Sequence, residues 1–214
     1  MLRYTKLFLS NHNLILRKDR KKQLNGLKKT ETSIDGAYVI QVEKFGDERG
    51  FFMETFNHKQ FKEEIGDFDF VQDNHSLSTE GVLRGLHYQV KHPQGKLVRC
   101  TRGEIFDAIV DLRVNSPSYK KNFTFKLNRP DLILWVPPGL AHGFFTMSEE
   151  AEFEYKVTDY YYPQYERTLK WNDKEASIMW PFYEYWGYVP PTLSKKDDRG
   201  LSFDDSPKYD TITI

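Results

Sequence analysis

The stretch "VLRGLHYQVKHPQGKLVRC", from Val82 to Cys100, sets His87 and His92 beside the basic side chains Arg84, Lys96 and Arg99, among glycines and apolar residues. A strand that only packs has no use for that mixture. These side chains face a metal, an anion, a reacting carbon or solvent. A histidine can act as a base near neutral pH, and a tyrosine as an acid. Arginine grips a phosphate as a bidentate fork and lysine as a point charge. Arg49, Arg84, Lys96 and Arg99 all lie close to strand-like segments, although each taken alone reads better as solvated surface.

Other chemistries have weaker support. The six histidines are His12, His58, His75, His87, His92 and His142, and His87 and His92 are five apart, so no His-x-His pair shares a strand face. Cys100 has no evident base near it in sequence, and no Gly-x-Ser-x-Gly occurs. Neither a P-loop nor a Gly-rich dinucleotide fingerprint is present. Acid–base work on a bound anion is what remains.

A candidate acid lies further on. In "AEFEYKVTD", Ala151, Phe153, Tyr155 and Val157 alternate with Glu152, Glu154, Lys156 and Thr158, which puts Tyr155 on the inward face. A phenol facing inward must find a partner or open onto a cavity. Around His87 the alternation groups Leu83, Gly85, His87 and Gln89 against Arg84, Leu86 and Tyr88. His87 and Arg84 therefore point apart unless a glycine bends the strand.

The elements that must position these residues are mostly strands. A chain of 214 residues suits one domain with a real core, and its 15% aromatic content, rich in Phe and Tyr, favours strands over helices. "AYVIQVEKF" reads as a strand ending at a "GDERG" turn, and "NHKQFKEEIG" as one short helix capped by Asn57. Strand signals then follow at short intervals: "GVLRGLHYQ", "GKLVRCT", "EIFDAIVDL", "FTFKL", "LILWVP", "GFFTM" and "AEFEYKVTDYYY". That spacing, without helices between, predicts an all-β sandwich or barrel.

Charge is uneven. Residues 1–29 carry nine Lys and Arg and one acid, leaving a net −8 on residues 30–214. An acidic body argues against nucleic-acid binding. We expect residues 1–34 to be a basic tail, which in composition also resembles a transit peptide, and 35–214 to be a single domain. Ordered structure is expected to begin near Ala37. The one cysteine excludes an intrachain disulfide, so nothing argues for secretion, and "LFL" is too short for a signal-peptide core or membrane span.

In this order, "DERGFFMETF", "QDNHSLSTEGVLRGLHYQ", "QGKLVRCTRGEIFDAIVDLR", "WVPPGLAHGFF", "EFEYKVTDYYYPQYERTLKWND" and "LSKKD" resemble the dTDP-4-dehydrorhamnose 3,5-epimerase family, over roughly Ile40 to Asp197. The resemblance implies a cupin-type double-stranded β-helix, or jelly roll, with a few short helices. It also implies a cytoplasmic homodimer that needs no metal or organic cofactor. The reaction it implies inverts both carbons flanking the 4-keto group of a 6-deoxy nucleotide sugar, dTDP-4-dehydro-6-deoxyglucose.

By the same resemblance, His87 of "GLHYQ" is the base, Asp197 of "LSKKD" the carboxylate that orients it and favours its charged form, and Tyr155 the acid. Lys96 of "QGK" steadies the enolate oxygen. Arg49 and Glu54, then Gln72, Asp73 and Asn74 of "QDN", match substrate-contacting positions. So do Arg84, His142 of "AHGF", Glu166 and Lys196, with Tyr161 bordering the sugar. The segments "YKKNFTFKLNRPDL" and "WGYVPPTLS", and the N-terminal addition, depart from the family pattern. Relatives that invert one carbon, act on other nucleotide sugars, or bind sugar without turnover remain open alternatives.

Overall fold

The computed structural model describes residues 27–183, 188 and 190–210. In chain order the strands are β1 (Leu27–Glu31), β2 (Tyr38–Val42), β3 (Lys44–Asp47), β4 (Gly50–Met53), β5 (Gln72–Thr79), β6 (Leu83–Gln89) and β7 (Lys96–Arg102). Then come β8 (Ile105–Asp111), β9 (Asn122–Leu127), β10 (Leu132–Val136), β11 (Leu140–Thr146), β12 (Glu150–Val157) and β13 (Glu166–Thr168). Two short α-helices, α1 (His58–Glu64) and α2 (Lys195–Asp198), and a 3-10 turn at Pro163–Tyr165 complete the described elements.

The strands form a six-stranded sheet in the order β1-β2-β10-β7-β12-β5 and a five-stranded sheet in the order β13-β6-β11-β8-β9, with β3 and β4 as a separate hairpin. Every pairing within both sheets is antiparallel. The sheets pack face to face as a cupin-type jelly roll. Val98, Cys100, Leu134, Ala151 and Phe153 of one meet Ile105, Ile109, Leu127 and Phe144 of the other in a single apolar cluster.

Both outer faces are covered, which explains why β8 is buried along its whole length. Its outward Ala108 and Val110 pack against Leu169, Ala176, Phe203 and Tyr209 of the C-terminal segment. The aromatic C-terminal third, through Trp171, Trp180 and Phe182, covers Phe106 and Phe145 beside them. On the other sheet, α1 lays Phe61 against Trp135, with Phe56, Phe68 and Phe70 around them. The helix starts as read, with the Asn57 side chain accepting from the Gln60 N–H.

Two boundaries move. β1 pairs with β2 from Leu27↔Val42 to Glu31↔Tyr38, so residues 27–31, placed in the tail by composition, form an edge strand of the large sheet. The rest of the expected tail lies outside the described residues. Composition concealed β1 because Lys28 and Lys29 stand on a sheet edge, where exposed charge is the usual protection against edge pairing. The expected strand "AYVIQVEKF" is two strands, β2 in the large sheet and β3 in the hairpin, which turns at Asp47–Gly50. Among the described residues no helix is long and apolar enough to cross a membrane.

Candidate active site

A cavity of about 550 Å³ opens between the two sheets. The six-stranded sheet contributes Gln72, Asn74 and Ser76 from β5, Lys96 from β7, and Phe153 and Tyr155 from β12. The five-stranded sheet contributes Arg84 and His87 from β6 and His142 to Phe144 from β11. Tyr161, Glu166 and Lys196 close the mouth. His87 and Tyr155 thus stand on opposite walls.

Arg84 and His87 share this cavity because β6 is bulged. His142 pairs with His87 and Phe144 with Arg84, so four residues of β6 face three of β11. The extra residue reverses the alternation and turns both polar side chains inward. Gly85 makes this possible: its φ is +127°, and a Cβ there would sit 2.5 Å from the Cα of Gly143. Arg84 Nε donates to Ser78 Oγ at 2.9 Å, which steadies the guanidinium beside the cavity wall.

Behind His87 lies Asp197, 3% exposed, with Oδ1 2.5 Å from His87 Nε2. The Gly85 N–H donates to the same oxygen at 3.3 Å, and Ser194 Oγ donates to Oδ2 at 2.7 Å. Ser194 also caps α2 by accepting from the Asp197 N–H. A carboxylate fixed on three sides keeps the His87 proton on Nε2 and leaves Nδ1 as the basic nitrogen. Burial opposes the charge on Asp197, but the hydrogen bonds from His87 and Ser194 outweigh it and hold the carboxyl below its ordinary value. For His87 the balance runs the other way. Burial pushes its pKa down, the Asp197 hydrogen bond only partly offsets this, and nearby Lys196 lowers it further. The imidazole is therefore neutral at neutral pH, as a base must be. Asp197 pulls towards the charged imidazole, as the resemblance implies, and burial pulls the other way.

Lys96 is buried in the cavity wall, where its Nζ donates to the His87 carbonyl at 3.4 Å. Burial lowers its pKa to about 8, against the upward pull of Glu166 and Asp107, so it is a mostly charged donor at pH 7. Tyr155 lines the cavity, and burial together with Glu166 raises its pKa, so it keeps its proton. His142 is buried, with Nε2 2.9 Å from Asp107 Oδ2. At the mouth, Glu166 accepts from Tyr161 at 3.0 Å and from Lys196 at 2.9 Å, joining the loop after β12 to α2. Gln89 anchors that loop from below, donating to the Tyr160 carbonyl and accepting from the Tyr162 N–H.

Two expected residues, Arg49 and Glu54, are not brought into this cavity. Asp73 lines its rim, with its carboxylate held by Lys156 at 3.0 Å, while alternation on β5 turns Gln72 and Asn74 further inward. Arg49 sits at the tip of the β3–β4 hairpin, paired with Asp47, its side chain 84% exposed. Glu54 is exposed beyond β4 and accepts from Asn57. His92 is at the loop rim, near Asp159 and packed on Tyr162. Among the described residues, no group of three His, Cys, Asp or Glu side chains is placed to hold a metal. Reasoning from sequence overlooked Ser194, Asp107 and Gln89. A signal existed for Asp107, an acid inside the apolar run "EIFDAIVDL", and for Ser194, a helix-capping residue in "LSKKD".

A sequence profile of the dTDP-4-dehydrorhamnose 3,5-epimerase family matches residues 31–205. The enzyme of that name from Pseudomonas aeruginosa is 46% identical over 182 residues, covering 84% of this chain and 98% of its own. The Shigella flexneri enzyme is 48% identical over 179 residues, covering 82% and 96%. Among solved structures, the dTDP-6-deoxy-D-glucose-3,5-epimerase of Legionella pneumophila, in complex with dTDP-4-keto-L-rhamnose, superposes with a TM-score of 0.82. The two share 38% identity over 87% of this chain and all of that one.

Proposed function

The chain belongs to the dTDP-4-dehydrorhamnose 3,5-epimerase family, and on that premise we propose how its residues invert C3 and C5 of a dTDP-4-keto-6-deoxyhexose. The observation that carries the assignment is the placement of His87 and Tyr155 on opposing sheets, either side of one cavity. Inversion needs a proton removed from one face of a ring carbon and another delivered to the opposite face. His87 takes the proton from the carbon next to the ketone. Negative charge moves onto the carbonyl oxygen, where the Lys96 ammonium is already in place to stabilise it. Tyr155 then gives its proton to the other face. The two flanking carbons can be treated in turn, because both are acidified by the same carbonyl.

Arg84, Lys196, Tyr161 and Glu166 are the groups we assign to the nucleotide and its phosphates, with Gln72, Asn74 and His142 on the sugar. Arg49 and Glu54 do not reach the cavity of their own chain, and we assign them to the site of a second copy. The hairpin that carries Arg49 also exposes Phe45, Phe51 and Phe52, the last 70% exposed, which is a cost for a monomer and a contact for a homodimer. Sedimentation equilibrium at micromolar concentration tests this, and a stable monomer counts against it. A single buried cysteine without a disulfide suits the cytoplasm as the working compartment.

Each inversion through an enolate exchanges a carbon-bound hydrogen with solvent. Turnover of dTDP-4-dehydro-6-deoxyglucose in heavy water should place deuterium at both C3 and C5. Labelling of one carbon alone would mean a one-position epimerase.

A further inference from the structure

Beside the catalytic cavity lies a second concavity of about 500 Å³, lined by Glu166, Arg167, Thr168, Lys195, Lys196, Arg199 and Leu201. Glu166 and Lys196 line both, so the two spaces adjoin at that ion pair. Four of its residues are cationic and one is an acid, and that acid is already held by Lys196 and Tyr161. Among the described residues, Lys195 and Arg199 are exposed and make no ion pair, and Arg167 donates only to the carbonyls of Gln164 and Glu166.

The patch is not average surface, since residues 30–214 carry a net −8. The full chain is neutral, but an acidic body of this kind opposes a nucleotide diphosphate except where a local positive field reverses the sign.

We propose that this concavity is a capture site for the diphosphate of the nucleotide sugar, which lands on Arg167, Lys195 and Arg199 and then passes Lys196 into the catalytic cavity. The inference rests on the assignment of a nucleotide-sugar substrate. Arginine forks and a lysine point charge are suited to a diphosphate, and the cations are within one short stretch of the groups that hold the substrate during chemistry. No covalent step is involved.

The test is the double variant Lys195→Glu/Arg199→Glu, assayed for product at about 20 mM salt and at 1 M, where the Debye length falls to about 3 Å. At low salt kcat/KM should drop by about tenfold or more, with kcat unchanged, and at 1 M the variant and wild type should converge. Inorganic pyrophosphate should also inhibit the wild type more tightly than the variant at low salt. Equal kcat/KM at low salt overturns the proposal. So does a loss that survives 1 M salt or falls on kcat, which would mean that the substitutions act through α2 on Asp197. Equal pyrophosphate inhibition overturns it as well. A wild type that inverts no carbon would instead sink the assignment of function, and the two failures are thus distinct.

Discussion

Asp197 Oδ1 lies 2.5 Å from His87 Nε2, across 110 positions of sequence. The contact joins a bulged strand in the five-stranded sheet to a four-residue helix near the C-terminus. It fixes both the orientation of the imidazole and which nitrogen carries the proton. Asp197→Asn keeps the shape but can leave the proton on the wrong nitrogen. We expect kcat to fall by about a hundred- to ten-thousandfold, with KM little changed. Removing the carboxylate also removes an interaction that raises the His87 pKa, so the acid limb of the residual activity should move to lower pH. An unchanged rate would reduce Asp197 to a structural partner of Ser194.

The pH profile of kcat/KM should be bell-shaped. With His87 as the proposed neutral base, its pKa held below 6.5 by burial, the rate should fall as pH drops through a value under 6.5. With Lys96 proposed to act as the ammonium, its pKa lowered to about 8, the rate should fall again as pH rises through about 8. Tyr155 is pushed above its ordinary 10 and stays protonated over this range. Lys96→Arg separates the limbs, because a guanidinium does not lose its proton there. The peak rate should drop while the alkaline limb moves to higher pH. An alkaline limb still near 8 in that variant would assign it to another group.

Gly143→Ala tests the close approach that creates the bulge. A Cβ at Gly143 would lie 2.5 Å from the Arg84 carbonyl oxygen and 2.9 Å from the Gly85 Cα, both backbone atoms in a well-packed sheet. The strands must separate. Forced overpacking of this kind costs about 1–3 kcal/mol, which urea unfolding should register as a lower midpoint with an unchanged m-value. Activity should fall further than stability accounts for, because Arg84 and His87 flank the disturbed pair. Wild-type stability would show that the sheet has more slack than these contacts allow.

Much of the site was legible in the sequence, and the failures have physical causes. Period-two alternation placed Tyr155 inward on β12 because that strand is regular. The same rule set Arg84 and His87 on opposite faces and was wrong, because a bulge adds one residue and no alternation count reveals it. Two glycines in neighbouring strands were the only local sign. β5 and β1 were not read as strands, since polar residues dominate both: β5 lines a cavity, and β1 is a charged edge. Asp73 reaches only the rim of the cavity that its neighbours Gln72 and Asn74 face, because adjacent residues of a strand point to opposite sides. The Asp107–His142 and Gln89 contacts join segments far apart in sequence, which only tertiary structure brings together.

The last prediction separates removal of a proton from its return. Tyr155→Phe keeps the ring, its packing against Phe153 and the whole His87–Asp197 pair, and removes only the hydroxyl. His87 can still take a proton from the substrate, and Lys96 can still hold the enolate. With no donor on the opposite wall, the proton returns to the face it left. In heavy water the variant should therefore exchange hydrogen for deuterium at the reacting carbon while forming little product of inverted configuration. His87→Asn should abolish exchange and inversion together, because it removes the base. A donor of this kind contributes about a hundred- to ten-thousandfold, so the divergence between exchange and inversion in Tyr155→Phe should be plain from NMR of a single incubation. If Tyr155→Phe inverts both carbons at the wild-type rate, the hydroxyl is a core phenol that happens to face a cavity, and the acid must be sought among the other groups on that wall. If it loses exchange as completely as inversion, the phenol is needed before the enolate forms, and the division of labour between the two sheets is not the one proposed.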